Sequence, residues 1–117
     1  MTRKPIVFCL AALLTLFAPL TAMAECLDLP GDVNQSGTMD VADVQCLIIV
    51  TLWQLSGDAT APTPDCLSGG VATADLNCSG EGGDVTVTDV LLAIELALGS
   101  PLDPIIDADQ NGCPDDC

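Results

Sequence analysis

Residues Asp32-Val33-Asn34-Gln35-Ser36-Gly37-Thr38-Met39-Asp40-Val41-Ala42-Asp43 form a twelve-residue stretch with oxygen-bearing side chains at positions 1, 3, 5, 9 and 12 and glycine at position 6. A hard divalent cation such as Ca2+ takes about six to eight oxygens at about 2.3–2.6 Å, and alternate residues of a tight turn supply them. Asp32, Asn34 and Ser36 are therefore candidate side-chain ligands, and Thr38 a candidate through its backbone carbonyl. Asp40 is a candidate through water, and Asp43 closes the shell from the start of a helix. Gly37 permits the sharp turn. The competing reading is an Asx-rich turn that only caps the helix.

The pattern recurs downstream. Asp75, Asn77, Ser79 and Gly80 repeat the opening of the loop, and Asp89 stands before an apolar run as Asp43 does. The spacing from first to last Asp grows from 11 to 14, so three residues are inserted, most simply within Glu81 to Asp84. If the extra residues loop out, Asp84 offers an oxygen near the seventh position and a cation site survives; otherwise the second loop is a lost site. A third stretch, Asp107-Ala-Asp109-Gln-Asn111-Gly112, followed by Asp115, repeats the spacing once more with no helix after it. Asp107, Asp109, Asn111 and Asp115 are its candidate ligands, against the alternative of a frayed acidic tail.

Each of the first two loops leads into an apolar segment. Asp40-x-x-Asp43 and Thr86-x-x-Asp89 have the form of capping boxes. Val44, Leu47, Ile48, Leu52 and Leu55, then Val90, Leu91, Ile94 and Leu98, recur at helical spacing, and Gly57 and Gly99 mark the helix ends. Both segments are apolar on more than one face, which predicts mutual burial in an antiparallel pair. The expected fold is small and all-α, with little or no β-structure.

The chain outside these repeats sets its compartment. Arg3 and Lys4, the apolar run Ile6 to Leu20 and the ending Ala22-Met23-Ala24 have the form of a secretory signal peptide over residues 1–24. Residues 25–30 form a lead-in, 31–56 the first repeat, 57–73 a Gly/Pro/Thr-rich connector, 74–99 the second repeat and 100–117 an acidic tail. Removing 24 of 117 residues leaves 93. That remainder keeps all 17 acids and no Lys, Arg or His. Nucleic-acid binding and attraction to anionic membrane both need cations, so both are excluded. Catalytic systems built on His or Lys are excluded too. Loop carboxylates that hold a cation do not titrate as a glycosidase pair, and Trp53 alone makes a poor sugar platform. No enzyme is expected. Fourteen of the 17 acids are Asp, which suits tight oxygen cages rather than solvated helix faces.

Six cysteines remain: Cys26, Cys46, Cys66, Cys78, Cys113 and Cys117. No C-x-x-C spacing and no His accompany them, so three structural disulfides are expected, with fifteen possible pairings. Cys46 in the first helix and Cys78 in the second loop are placed to tie the repeats together, and Cys66 to fasten the connector. A core this small needs such staples.

Gly31-Asp32-Val33-Asn34, Gly37, Asp40-Val41-Ala42-Asp43-Val44 and Ala74-Asp75-Leu76-Asn77, Gly80, Val87-Thr88-Asp89-Val90 together resemble a dockerin domain, with a helix after each EF-hand-like loop and none before. The likeness spans about Gly31 to Gly99, and the tail resembles a half-loop of thrombospondin type 3 repeats. The dockerin resemblance implies calcium-dependent folding and docking onto a cohesin-like module, in complexes that degrade extracellular polysaccharide or sit at a cell surface. It assigns partner contact to Val41, Ala42, Val87 and Thr88. Three of these four are apolar, unlike the polar docking set of well-studied dockerins. The expectation is thus a secreted, monomeric calcium-binding docking module; the alternative is a calcium- and disulfide-stabilised spacer without a partner.

Overall fold

A computed structural model describes residues 26–80 and 83–117. The expected signal peptide lies outside these residues. Regular structure among them consists of helix α1, Val41–Leu55, a 3-10 helix, Val71–Ala74, and helix α2, Val87–Ala97, with no strand.

Both capping boxes form. The Asp40 carboxylate accepts from Ala42 N at 2.8 Å, and Asp43 accepts from Asp40 N at 3.0 Å. In α2, Thr86 Oγ1 accepts from Thr88 N at 3.2 Å and Asp89 from Thr86 N at 2.7 Å. These contacts satisfy amides that a helix start leaves unpaired. At the other end of α2, Gly99 is left-handed (φ 70°). Its N–H reaches the Leu96 carbonyl at 2.9 Å, and Ser100 N reaches Glu95 O at 2.9 Å. That is the paired Schellman closure a glycine allows.

The two helices pack on one another, and their ends show the direction. Gln54, in the last turn of α1, bonds to Gly83 and Val85 just ahead of α2. Gly31, ahead of α1, lies against Leu96 near the end of α2. The helices therefore run antiparallel. Their shared core holds Val33, Val44, Leu47, Val50 and Ala93, extended by Leu67, Ala74 and Val85. Trp53 packs against this core and donates from Nε1 to the Ala61 carbonyl at 3.2 Å, so the connector folds back over α1.

The expectation of mutual burial fails on one side of each helix. Ile48, Leu52 and Leu55 are exposed (43%, 62% and 77%), as are Leu91, Ile94 and Leu98. Two helices offer each other one face only, and the loops cover part of the rest. A clean contrast follows. Leu47→Ala, at a position with no exposure, is expected to cost about 2–5 kcal/mol. Leu52→Ala is expected to stay within about 0.5 kcal/mol of the parent. Denaturant melts in calcium buffer measure both, and equal costs would contradict the burial described.

Three disulfides staple the fold: Cys26–Cys113, Cys46–Cys66 and Cys78–Cys117, with Cα separations of 6.0, 5.7 and 5.3 Å. Cys66 fastens the connector, as expected. Neither Cys46 nor Cys78, however, links one repeat directly to the other. Cys46 bonds within the reach of its own connector, while Cys78 and Cys113 draw the tail onto loop 2 and the lead-in. The repeats are joined instead by packing and by Gln54.

Candidate functional site

Three Asp-led loops adopt one local conformation. The fourth residue of each, Gln35, Cys78 and Gln110, is left-handed (φ 55°, 50° and 57°). Its N–H bonds back to the carbonyl of the leading Asp, at 3.3, 3.4 and 3.3 Å. A non-glycine residue at positive φ is uncommon, and its appearance at the same place three times marks a repeated design. The leading aspartates turn inward: Asp32, Asp75 and Asp107 are 6%, 3% and 1% exposed.

In loop 1, Asp32 receives Ser36 N at 2.9 Å on Oδ1 and Gly37 N at 2.8 Å on Oδ2. Asn34 Oδ1 takes Ser36 N at 2.8 Å. Ser36 Oγ lies 3.1 Å from the Thr38 carbonyl oxygen, and Thr38 Oγ1 lies 3.3 Å from Asp40 Oδ2. Fully buried Asp43 reaches across to Asn34 N at 3.2 Å. The six residues that the spacing nominated are thus gathered around one turn, with Ser36, Thr38 and Asp40 its exposed members. Left-handed Gly37 (φ 88°) makes the bend.

Loop 2 repeats this with a difference. Asp75 Oδ1 accepts from Ser79 N at 3.2 Å, Asn77 Oδ1 from the same amide at 3.1 Å, and buried Asp89 from Asn77 N at 3.0 Å. Asp75 Oδ2, by contrast, is buried with no hydrogen-bond partner. The Gly80 amide stands near enough to favour the ionised carboxylate but outside hydrogen-bond geometry. Burial pushes the Asp75 carboxyl above its ordinary pKa, and repulsion from Asp89 and Asp84 adds to the rise. Asp84 returns against Gly80, where a Cβ would sit 2.7 Å from the Asp84 Cβ.

Loop 3 brings carboxylates closest. One oxygen each of Asp107, Asp109 and Asp115 lies within 4.8 Å of the others, a set able to hold a metal ion. Asp107 Oδ1 and Oδ2 receive Asn111 N at 3.1 Å and Gly112 N at 2.9 Å, and Asp115 receives Ala108 N at 2.9 Å. No helix follows. The closing Asp115 is held by its own N–H to Ile106 O at 2.7 Å and by the nearby Cys78–Cys117 bond.

The chain matches no protein-family model, no curated protein and no solved structure. The site is therefore read from its own chemistry. Each nominated residue has an oxygen to offer, none is a histidine or a free thiol, and five aspartates (Asp32, Asp43, Asp75, Asp89 and Asp107) are buried, although in loop 3 the Asn111 side-chain nitrogen donates to Asp109 Oδ2 at 3.0 Å. Oxygen-only donor sets suit hard cations. The nominated partner residues sit differently: Val41 and Val87 are 65% and 66% exposed, and Ala42 and Thr88 are exposed beside them in the first turns. One residue escaped the sequence reading altogether. Gln54 reaches 29 and 31 positions along the chain to loop 2, and nothing local announces it.

Proposed function

We propose that the protein is a secreted calcium-binding module of the dockerin kind, which docks a cohesin-like partner and performs no catalysis. One observation carries the calcium half: five aspartates are buried in a chain with no Lys, Arg or His after Lys4. A buried carboxylate is costly unless a counter-charge accompanies it. Loop amides neutralise part of that cost, and a divalent cation supplies the rest. The loop ligands Asp32, Asn34, Ser36, Thr38, Asp40 and Asp43 fit such an ion, as do Asp75, Asn77, Ser79, Asp84 and Asp89. Asp107, Asp109, Asn111 and Asp115 form a third set. Secretion accords with three disulfides, which persist in oxidising compartments. No helix among the described residues is long and apolar enough to cross a membrane.

The docking half rests on the uncovered faces. Val41, Ile48 and Leu52 of α1, and Val87 and Ile94 of α2 with Leu98 at its C-cap, are exposed at matching positions of the two repeats. They form a stripe on each helix, away from the core. Apolar stripes of this kind on a strongly acidic surface suit a protein partner better than solvent.

Calcium titration by calorimetry on the oxidised protein is expected to give three sites, and zero sites would end this reading. Association with cohesin-like modules is expected in calcium and to fall at least tenfold in Leu52→Ser/Leu98→Ser, with calcium stoichiometry unchanged. Three filled sites with no association leave the spacer as the function.

A further inference from the structure

The insertion in loop 2 is where the second repeat departs from the first, and a side chain of the first repeat intervenes there. Gln54 Nε2 donates to the Gly83 carbonyl at 2.8 Å, and Val85 N donates to Gln54 Oε1 at 2.8 Å. These main-chain groups lie on either side of Asp84. One carboxamide that satisfies both fixes the peptide units flanking Asp84, and with them the direction of its Cα–Cβ bond. Gly83 is left-handed (φ 91°), and a Cβ there would strike Ala72 N at 2.8 Å, so the chain passes tightly over the 3-10 helix before reaching Gln54. On the far side, Asp84 meets Gly80. The stretch from Gly83 to Val85 is therefore held by Gln54, with Asp84 beside Gly80.

Asp84 is exposed and stands near enough to Asp75 to repel its carboxylate. In loops 1 and 3 the second oxygen of the leading Asp takes a glycine N–H, from Gly37 or Gly112. In loop 2 that oxygen, Asp75 Oδ2, is buried and unpartnered. A buried anionic oxygen without a donor points to a cation in its place.

We propose that Gln54 is a positioning residue for the cation site of the second repeat, gripping the backbone on both sides of Asp84 so that this residue supplies an oxygen near the seventh position of the loop that Asp75 leads and Asp89 closes. The proposal rests on the calcium reading above and adds a link that the first repeat lacks. The last turn of α1 helps to build the site of its neighbour, so filling loop 2 also orders the contact between the repeats.

Calcium calorimetry on the whole oxidised protein tests it with three variants. Gln54→Leu keeps the side chain's bulk and removes both bonds. It is expected to weaken one site about 10–100-fold, the usual effect of losing a residue that orients a ligand, and to leave the other sites at parental affinity. Asp84→Asn, which leaves the clamp intact, is expected to weaken the same site. Asp75→Asn is expected to abolish it. A purely structural role for Gln54 would weaken all sites together, and that result overturns the proposal. So does parental affinity in Asp84→Asn. If Asp75→Asn loses a site while Gln54→Leu keeps it, only the role of Gln54 falls. If Asp75→Asn keeps every site, loop 2 holds no cation and the reading of that loop falls with it.

Discussion

Chelation of calcium from the oxidised protein is expected to remove most of its helical circular dichroism and its cooperative thermal transition. Asp32, Asp43, Asp75, Asp89 and Asp107 are all at most 6% exposed, and no side-chain cation after Lys4 can balance them. Without metal, each buried charge retains a desolvation cost of several kcal/mol, offset only by loop amides. At calcium one hundred times above the dissociation constant, a single site stabilises by about 2.7 kcal/mol, so three sites contribute about 8 kcal/mol. A domain of this size is stable by about 5–15 kcal/mol in all. On the calcium reading, metal at that excess therefore supplies the larger part of the margin. The disulfides restrict the unfolded chain and keep it compact, but they pair no charge. The experiment is a thermal melt under non-reducing conditions, in calcium and then in chelator. A transition unmoved by chelator would mean that the buried aspartates are stable on amide hydrogen bonds alone, and the calcium reading would be wrong.

What the sequence made legible was local. Capping boxes and helix-ending glycines depend on residues within a few positions of each other or of the helix end, and both formed. Disulfide partners stand 20, 39 and 87 positions apart, and no spacing rule orders fifteen alternatives. Cys78 was therefore free to bond the tail rather than the first repeat. Helix faces failed for another reason. Ile48 and Leu47 are both apolar, yet Leu47 is buried and Ile48 is 43% exposed. When hydrophobicity surrounds a helix, periodicity no longer says which side finds a partner. Loop 3 was legible from its Asp spacing although no helix follows it, and its three carboxylates approach one another within 4.8 Å. Gln54 acts through contacts that only the antiparallel packing creates.

Replacing Asp43 by alanine is expected to be among the most damaging single substitutions in the chain. Asp43 is fully buried and serves three ends at once. One oxygen takes the Asp40 N–H at 3.0 Å and so completes the cap of α1. The other takes Asn34 N at 3.2 Å, which ties the helix start to the opposite side of loop 1. The same carboxylate is the closing ligand of the proposed cation site. Alanine leaves the Asn34 and Asp40 amides without their carboxylate partner, each costing about 1–3 kcal/mol where it stays buried, and removes the ligand as well. The expected loss in calcium buffer is at least about 3 kcal/mol, with one calcium site gone. Asp40→Ala supplies the comparison. Asp40 is exposed and its role is the cap contact to Ala42 N plus an outer place in the loop, so its loss is expected to cost about 1 kcal/mol. Urea melts of the two variants beside the parent decide the matter. Equal losses would reduce Asp43 to an ordinary helix cap, whereas a loss two or more times larger, accompanied by one fewer bound calcium, makes it the hinge between metal and helix. Asp89 occupies the same place in the second repeat, fully buried and bonded to Asn77 N and Thr86 N, so Asp89→Ala should reproduce the result there.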